Sequence, residues 1–330
     1  MHTVNWGILG TGKIATKFAE DLPTVENAKL VAVGSRSSKS AQEFAQKFGA
    51  DRAHPTYLDL VKDPEVDIIY VSTPHSFHKE NTILCLNHGK AVLCEKPIGV
   101  NRLELEEMIN IAQQRKLFMM EAMWTYFLPT INKTKEWIAN GSIGEIQHIK
   151  ADFGFKAPYD PAKRLFNPEL AGGALLDVGI YPLAFSLLFA QSDVSNLSAS
   201  STKSSTGVDL TNTYQLYFEN GVTADLSCSL GHRFDNDGII YGTEGYIKLP
   251  LFWKSTDAFL YKYNSTEVKS FTDERETNGY NFEAQEATNL LLQGKTESSI
   301  MPKSVSLNLL EHMDNIRREI GLIYPFEKSK

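Results

Sequence analysis

Val4-Asn5-Trp6-Gly7-Ile8-Leu9-Gly10-Thr11-Gly12-Lys13-Ile14-Ala15 runs from a strand through a glycine turn into the start of a helix. The stretch Val4–Leu9 carries no charge, as a strand covered on both faces requires. Gly10-x-Gly12-x-x-Ala15 follows at once. Gly10 permits the tight turn, Gly12 lets the backbone approach a pyrophosphate, and Ala15 lets the helix pack on the strand. With Thr11, Lys13 and Ile14, these glycines put free N–H groups of a helix start beside an anion. Alone the glycines would be only a tight turn; a βαβ succession behind them makes the stretch a dinucleotide site.

That succession runs to about residue 122. Apolar or β-branched runs at Val4–Leu9, Leu30–Gly34, Asp67–Thr73, Ala91–Glu95 and Phe118–Ala122 alternate with helical periods at Lys13–Asp21, Lys39–Phe48, Tyr57–Val61, His78–His88 and Leu103–Arg115. Strands separated by helices predict a doubly wound parallel sheet, a Rossmann domain over residues 1–122. Beyond it, a helix at Leu128–Asn140 precedes strand-like runs at Ile146–Phe155, Thr211–Phe218, Val222–Ser229 and Gly238–Leu249. Glu219-Asn220-Gly221 reads as a hairpin turn with positive φ from Asn-Gly. The Ser/Thr-rich Ser195–Thr206 reads as an edge strand with a loop, and helices at Phe282–Leu292 and Val305–Leu322 close the chain. Residues 123–330 are therefore expected to form an α/β domain on an open, mainly antiparallel sheet.

Length and composition agree with that division. The chain has 330 residues, 42% hydrophobic and 22% charged; wholesale disorder and a polytopic membrane protein are excluded. Forty acidic against 33 basic residues give a net charge of −7. With no basic block, the footprint of a nucleic-acid binder is missing. Cys85, Cys94 and Cys228 have no metal-ligand spacing and read as buried reduced thiols. The apolar stretch Val178–Ala190 contains Pro182 and Ser186 and is too short to span a bilayer; the N-terminus shows no signal-peptide pattern. The expectation is a soluble cytoplasmic protein with neither nucleic acid nor membrane as partner.

Three further segments carry chemistry. The second strand ends in Gly34-Ser35-Arg36-Ser37, where an NAD-selective site would carry an acid for the ribose 2′-hydroxyl. Ser35, Arg36 and Ser37, with Ser38 nearby, offer donors and a planar cation for a 2′-phosphate; NADP is preferred, NAD remains open, and the bland alternative is a solvated arginine. Thr73-Pro74-His75-Ser76-Phe77-His78 closes the next strand, where ligands of open α/β sheets bind. Two histidines without acidic or thiol partners under-coordinate a zinc, so no metal is expected. Glu95-Lys96-Pro97 places a lysine at a strand's carboxyl end, held extended by the proline. Beside an oxidised nicotinamide, burial would pull its pKa down and make it an acid/base candidate; otherwise it is a surface charge.

Taken in order, Gly10-x-Gly12-x-x-Ala15, Thr73-Pro74-His75, Glu95-Lys96-Pro97 and Gly172-Gly173-Ala174-Leu175-Leu176-Asp177-Val178-Gly179-Ile180-Tyr181-Pro182 resemble the Gfo/Idh/MocA oxidoreductase family over nearly the whole chain. The last segment and Glu121-Ala122-Met123-Trp124 are similar to the branch of dihydrodiol and NADP-linked D-xylose dehydrogenases. Tyr126 departs from it, an arginine being usual there, as does Ala171 in place of a third glycine. The resemblance implies that Lys96 and Tyr181 sit beside nicotinamide C4, with Tyr181 where the wider family has histidine. It also implies cofactor contacts from Thr73, Pro74, His75, His78, Glu95 and Lys96, and a sheet face that buries a second copy, giving a homodimer or larger assembly.

Residue chemistry supports the catalytic set. Asp177 and Tyr181, four apart, share a helical face. Asp177 is the one carboxylate in the otherwise apolar Gly172–Ala190 and needs a cationic partner, for which Lys96 is the natural choice; alternatively it serves a helix dipole. Pro182 interrupts the hydrogen-bond ladder just after Tyr181. Trp124, Phe153, Phe155, Tyr159 and Tyr280 are candidates for a ring-binding pocket or for core, and Arg164 for a clamp on cofactor or substrate or a surface charge. Together these predict hydride transfer between NADP and a carbinol carbon of a sugar or cyclic trans-diol. The alternatives are a non-catalytic NADP-sensing regulator on the same fold and a biliverdin- or imine-type reductase.

Overall fold

A computed structural model describes residues 3–327, which divide into two compact units. One comprises the chain to Phe127 together with Arg275–Asn308; the other is Leu128–Glu274 with the residues from Leu309 onward.

In the first unit, strands β1 (Val4–Leu9), β2 (Ala28–Gly34), β3 (Arg52–His54), β4 (Ile68–Val71), β5 (Ala91–Glu95) and β6 (Met119–Ala122) lie in the order β3-β2-β1-β4-β5-β6. All are parallel. Helices α1 (Lys13–Asp21), α2 (Ser38–Phe48), α3 (Tyr57–Val61), α4 (His78–Asn87) and α5 (Arg102–Arg115) make the crossovers. Every residue of β4 and β5 is buried, as a sheet covered on both faces demands. Strand order reverses between β1 and β4, and the crevice at such a reversal is where these sheets take ligands. The edge strand β3 has no apolar run to announce it; Asp63 holds it through Arg52 at 2.6 Å and His54 at 2.9 Å.

The partition at residue 122 differs from these units because helix α8 (Asn281–Leu292) returns to the first one. The indole of Trp6 donates to Thr288 at 3.2 Å. Buried Asp21 accepts the main-chain N–H groups of Asn278 and Tyr280, each at 2.9 Å. A buried indole and carboxylate both need partners, and here the partners lie more than 250 residues downstream.

In the second unit, helix α6 (Pro129–Ala139) leads into β7 (Ile146–Gly154), and α7 (Ile180–Ala190) precedes β8 (Val194–Lys203), β9 (Asp209–Phe218) and β10 (Thr223–Ser229). The strands β11 (Asp237–Gly242), β12 (Gly245–Pro250), β13 (Asp257–Lys262) and β14 (Val268–Thr272) follow, and helix α9 (Lys303–Glu319) begins in the first unit's segment. Sheet order is β14-β13-β12-β11-β7-β10-β9-β8. β7 and β10 pair in parallel; the other neighbours are antiparallel. The run Gly238–Leu249 proves to be a hairpin, β11 and β12, turning at Thr243-Glu244. In the β9–β10 turn only Gly221 takes positive φ, +86°, so the glycine carries that turn without help from Asn220.

Along β9, Asn212, Tyr214, Leu216 and Phe218 are buried while Thr213, Gln215 and Tyr217 are exposed, so one sheet face is covered and the other open. The helical run containing α7 extends over Pro168–Ala190, longer than the Val178–Ala190 read from sequence. It is apolar enough by composition to cross a membrane, but 83% of its most apolar window is buried in the fold, as in a core helix.

Candidate active site

The first unit contributes a dinucleotide cradle. Gly10 has φ +106°, and a Cβ there would lie 3.0 Å from the Ser72 hydroxyl and 3.2 Å from the Ser72 carbonyl, so only glycine fits. Gly12 is different: its backbone is ordinary, and a Cβ would meet no described atom within 4 Å. The open space over Gly12 leaves room for a group to approach the main chain. Helices α2, α3 and α5 are capped by Ser37, Thr56 and Asn101. Helix α1 starts at Gly12 with no side chain from the described residues on its first N–H groups and no acid in its first turn. Those donors suit a pyrophosphate.

At the end of β2, Thr11 and Ser35 meet hydroxyl to hydroxyl at 3.4 Å. The Ser37 oxygen accepts the Ser40 N–H at 3.3 Å, so this hydroxyl caps α2. Arg36 hydrogen-bonds the phenol of Tyr57, a residue the sequence reading passed over; burial raises that phenol's pKa and Arg36 opposes the rise.

At the ends of β4 and β5 the chain is tied down by side chains. The buried ring of His78 spans two carbonyl oxygens, Pro97 at 2.7 Å and Thr73 at 2.8 Å, with His75 edge-on at 5.6 Å. His78 thus joins the strand end that precedes it to the cis Lys96–Pro97 turn. Asn81 donates to the Thr73 hydroxyl at 3.2 Å. Glu95, expected among the cofactor contacts, accepts a hydrogen bond from buried Tyr70. Trp124 belongs to this unit and stacks on Tyr280 at 4.5 Å. Tyr126, the departure from the family pattern, is buried, and burial raises its phenol pKa further than the charge of nearby Glu121 does.

The second unit contributes a phenol, a carboxylate and an aromatic wall. Residues Leu175–Gly179 form a π turn that runs directly into α7, and Asp177 lies in it. Pro182 cannot donate, and in an α-helix its ring would clash with the carbonyl of residue 178; widening the preceding turn removes that clash. Arg164 holds Asp177 at 2.7 Å, so within this unit the carboxylate has an arginine partner. Phe153 lies 5.6 Å from the Tyr181 ring, stacks on Trp253 at 3.6 Å and neighbours Phe155 at 6.3 Å. Trp253 was not foreseen; it joins from the short turn after β12. Tyr159 is 55% exposed, packed on Phe166 and bonded to Ser205, apart from this wall. Ala171 takes φ +53°, the left-handed region that favours glycine.

Comparison with known proteins follows this division. Residues 4–123 match the oxidoreductase family with an NAD-binding Rossmann fold, and residues 131–248 match the GFO/IDH/MocA C-terminal domain. Trans-1,2-dihydrobenzene-1,2-diol dehydrogenase of Mus musculus is 36% identical, covering 98% of this chain and 99% of the relative. The Homo sapiens enzyme of that name is 35% identical over the same shares. A 3-ketoreductase from Actinomadura kijaniata solved with NADP and TDP-benzene superposes with a TM-score of 0.88 at 24% identity, covering 97% of this chain and 98% of that one. Aldose-aldose oxidoreductase from Caulobacter crescentus gives 0.87 at 22% identity, over 96% and 97%. At these identities the two structures establish the fold.

One buried acid beside Lys96 is open to a direct test. Glu121 pairs in register with Cys94 on β5 and accepts the Ile98 N–H at 3.0 Å. Burial pushes its pKa up to about 7, opposed by hydrogen bonds from Ser306 and Ile98 and by the charge of Lys96, while Glu95 adds to the rise. A carboxyl whose pKa is raised on folding binds more protons in the native state, so its contribution to stability falls as pH climbs from its unfolded value to about 7. Glu121→Gln, which mimics the protonated acid, should match the unmutated protein near pH 4 and exceed it by up to about 3 kcal/mol above pH 8. Denaturant midpoints of both proteins across that range are the measurement. A stability difference independent of pH would contradict the assignment.

Proposed function

Because the chain belongs to the Gfo/Idh/MocA oxidoreductase family, we propose that it is an NADP-dependent dehydrogenase moving a hydride between nicotinamide and a carbinol carbon of a cyclic trans-diol or sugar. The observation that carries the reading is the Tyr181 phenol set against Phe153, itself stacked on Trp253. A phenol at an aromatic wall suits a ring bearing hydroxyls, and the relatives are named for a ring diol.

The bound nicotinamide supplies the hydride acceptor or donor. The uncapped start of α1 and the space over Gly12 take the pyrophosphate. Arg36, held by Tyr57, with Ser35 and Thr11 takes the ribose 2′-phosphate. Tyr181 exchanges the substrate's hydroxyl proton, and the ammonium of Lys96 favours the phenolate. Asp177 completes the catalytic set and is kept ordered by Arg164.

The open face of the second sheet supports a homodimer or larger assembly. Tyr246 stacks on Tyr261 at 4.5 Å, with Tyr241 and Tyr263 beside it. A second copy would cover such a face by two-fold symmetry. Three free buried thiols, Cys85, Cys94 and Cys228, fit a reducing, cytoplasmic compartment. Light scattering at micromolar concentration should report a dimer or larger species; a monomer would overturn the assembly.

Titration should show NADP binding more tightly than NAD, and Arg36→Ala should weaken NADP selectively by about 1–3 kcal/mol. Equal or tighter NAD binding by the unmutated protein would contradict this choice of cofactor.

With aldoses, inositols and trans-dihydrodiols as the panel, NADPH formation should appear on at least one ring polyol. Tyr181→Phe should lower kcat by about 10²–10⁴, and Lys96→Met similarly. The double variant should lose less than the product of the singles, because groups acting as a unit are not additive. NADPH binding should barely change in Tyr181→Phe. Near-full turnover by Tyr181→Phe would refute the proton path. Inactivity of the unmutated protein across the panel, with NADPH still bound tightly, would favour a non-catalytic NADP sensor.

A further inference from the structure

Asp209 has no part in the reaction just described, yet it is wholly buried at the first position of β9. Its Oδ2 accepts the Leu175 N–H at 2.6 Å and the Asn212 side-chain amide at 2.5 Å. Its Oδ1 has no hydrogen-bond partner among the described residues. That oxygen stands where a side chain on Gly173 would begin, 1.9 Å from the ideal Cβ position. Gly173 also has φ +121°, so two constraints keep this position a glycine. Burial raises the Asp209 pKa, opposed by the bonds from Asn212, Leu175 and its own N–H and by the charge of Arg317.

We infer that Asp209 is a positioning residue for the proposed reaction, fixing through the Leu175 N–H the π turn and helix that carry Asp177 and Tyr181. The inference rests on the reading given under Proposed function. A π turn is not a conformation a chain adopts by preference, and it persists where its surroundings hold both ends. Asp209 grips its first residue. The Tyr214 hydroxyl, also from β9, grips its last, donating to the Gly179 carbonyl at 2.5 Å. Gly179 in turn faces Cys228 of β10, whose sulfur would lie 2.7 Å from any Cβ there. On the entering side, buried Tyr324 donates to the Gly172 carbonyl at 2.8 Å. Asp177 lies two residues beyond the Asp209 anchor and Tyr181 six, so a shift of Leu175 moves both.

The test uses the full-length protein and three variants. Asp209→Asn keeps an acceptor for the Leu175 N–H, Asp209→Leu removes it, and Gly173→Ala displaces the carboxylate without altering it. Asp209→Leu and Gly173→Ala should lower kcat by about 10²-fold, the worth of a displacement near 1 Å at reacting groups. KM and NADPH affinity should stay within a factor of about two, and Asp209→Asn should restore turnover to within about five-fold, since Asn caps as well as Asp. A second readout needs no turnover: 3-fluorotyrosine placed at position 181 should give one ¹⁹F resonance in the unmutated protein, displaced or broadened in Asp209→Leu and Gly173→Ala and recovered in Asp209→Asn. If Asp209→Leu does not fold, Gly173→Ala carries both readouts.

A fall in melting temperature with kcat and the ¹⁹F line unchanged would reduce Asp209 to scaffold and overturn the inference. Asp209→Asn as damaging as Asp209→Leu in both readouts would overturn the anchoring geometry. An unmutated protein inactive on the whole panel, but with the ¹⁹F line displaced as expected, would overturn the proposed function and leave the positioning of Tyr181 by Asp209 upheld.

Discussion

Main-chain groups with no partner in the ladder organise this molecule. Where a parallel strand stops, or a helix starts, N–H and C=O groups lose their regular bonds, and burying them unpaired costs about 1–3 kcal/mol each. The chain answers several such places with a side chain. Ser37, Thr56 and Asn101 serve helix starts in the first unit. His78 spans the Thr73 and Pro97 carbonyls, and Glu121 takes the Ile98 N–H. In the second unit Asp209 takes the Leu175 N–H and Tyr214 the Gly179 carbonyl. Helix α1 has no side-chain cap among the described residues. The filled space around Gly10 and the open space over Gly12 stand in contrast, and the open side suits an anion.

The same contrast explains what sequence could and could not disclose. A strand, glycine turn and helix within one short stretch are local, so β1, the turn and α1 were legible to the residue; the alternation behind them was legible in its order, though not in every bound and not at β3. Lys96, Asp177 and Tyr181 were legible as a pattern. Their supports were not, because each acts across a long separation. Glu121 reaches Ile98 beyond the end of β5, Asp209 reaches Leu175 from 34 residues downstream, and Trp253 arrives at Phe153 from the turn after β12. The partition at 122 misplaced α8 for the same reason: Trp6 and Asp21 give no sign in sequence that their partners are Thr288, Asn278 and Tyr280. Pro182 was a readable signal of broken regularity, but the π turn that answers it is a packing solution.

Buried acids follow a different logic in the two units. In the first, Glu95 and Glu121 lie near Lys96, and Glu283, fully buried, has no hydrogen-bond partner among the described residues for either oxygen. Burial, with the charges of Glu95, Asp21 and Glu121, drives the Glu283 pKa far above the ordinary range. An ionised carboxylate there would face several kcal/mol of desolvation without a compensating contact, whereas the neutral acid avoids it by holding a proton. In the second unit Asp209 is given two donors and the charge of Arg317 instead.

The second sheet owes its one-sided burial to the single parallel pair among its described strands. β7 and β10 run alongside each other, so the chain between them must cross from one end of the sheet to the other. That passage contains the π turn, α7 and then the β8–β9 pair. Helix α7, apolar nearly all round and mostly buried, packs on β7, β10 and β11, and α6 packs on β13 and β14. The exposed face consequently carries alternating polar residues on β9 and a row of tyrosines on β11, β12 and β13. Crossover and open face are two results of one topology: the passage that delivers Asp177 and Tyr181 also decides which side of the sheet is left open.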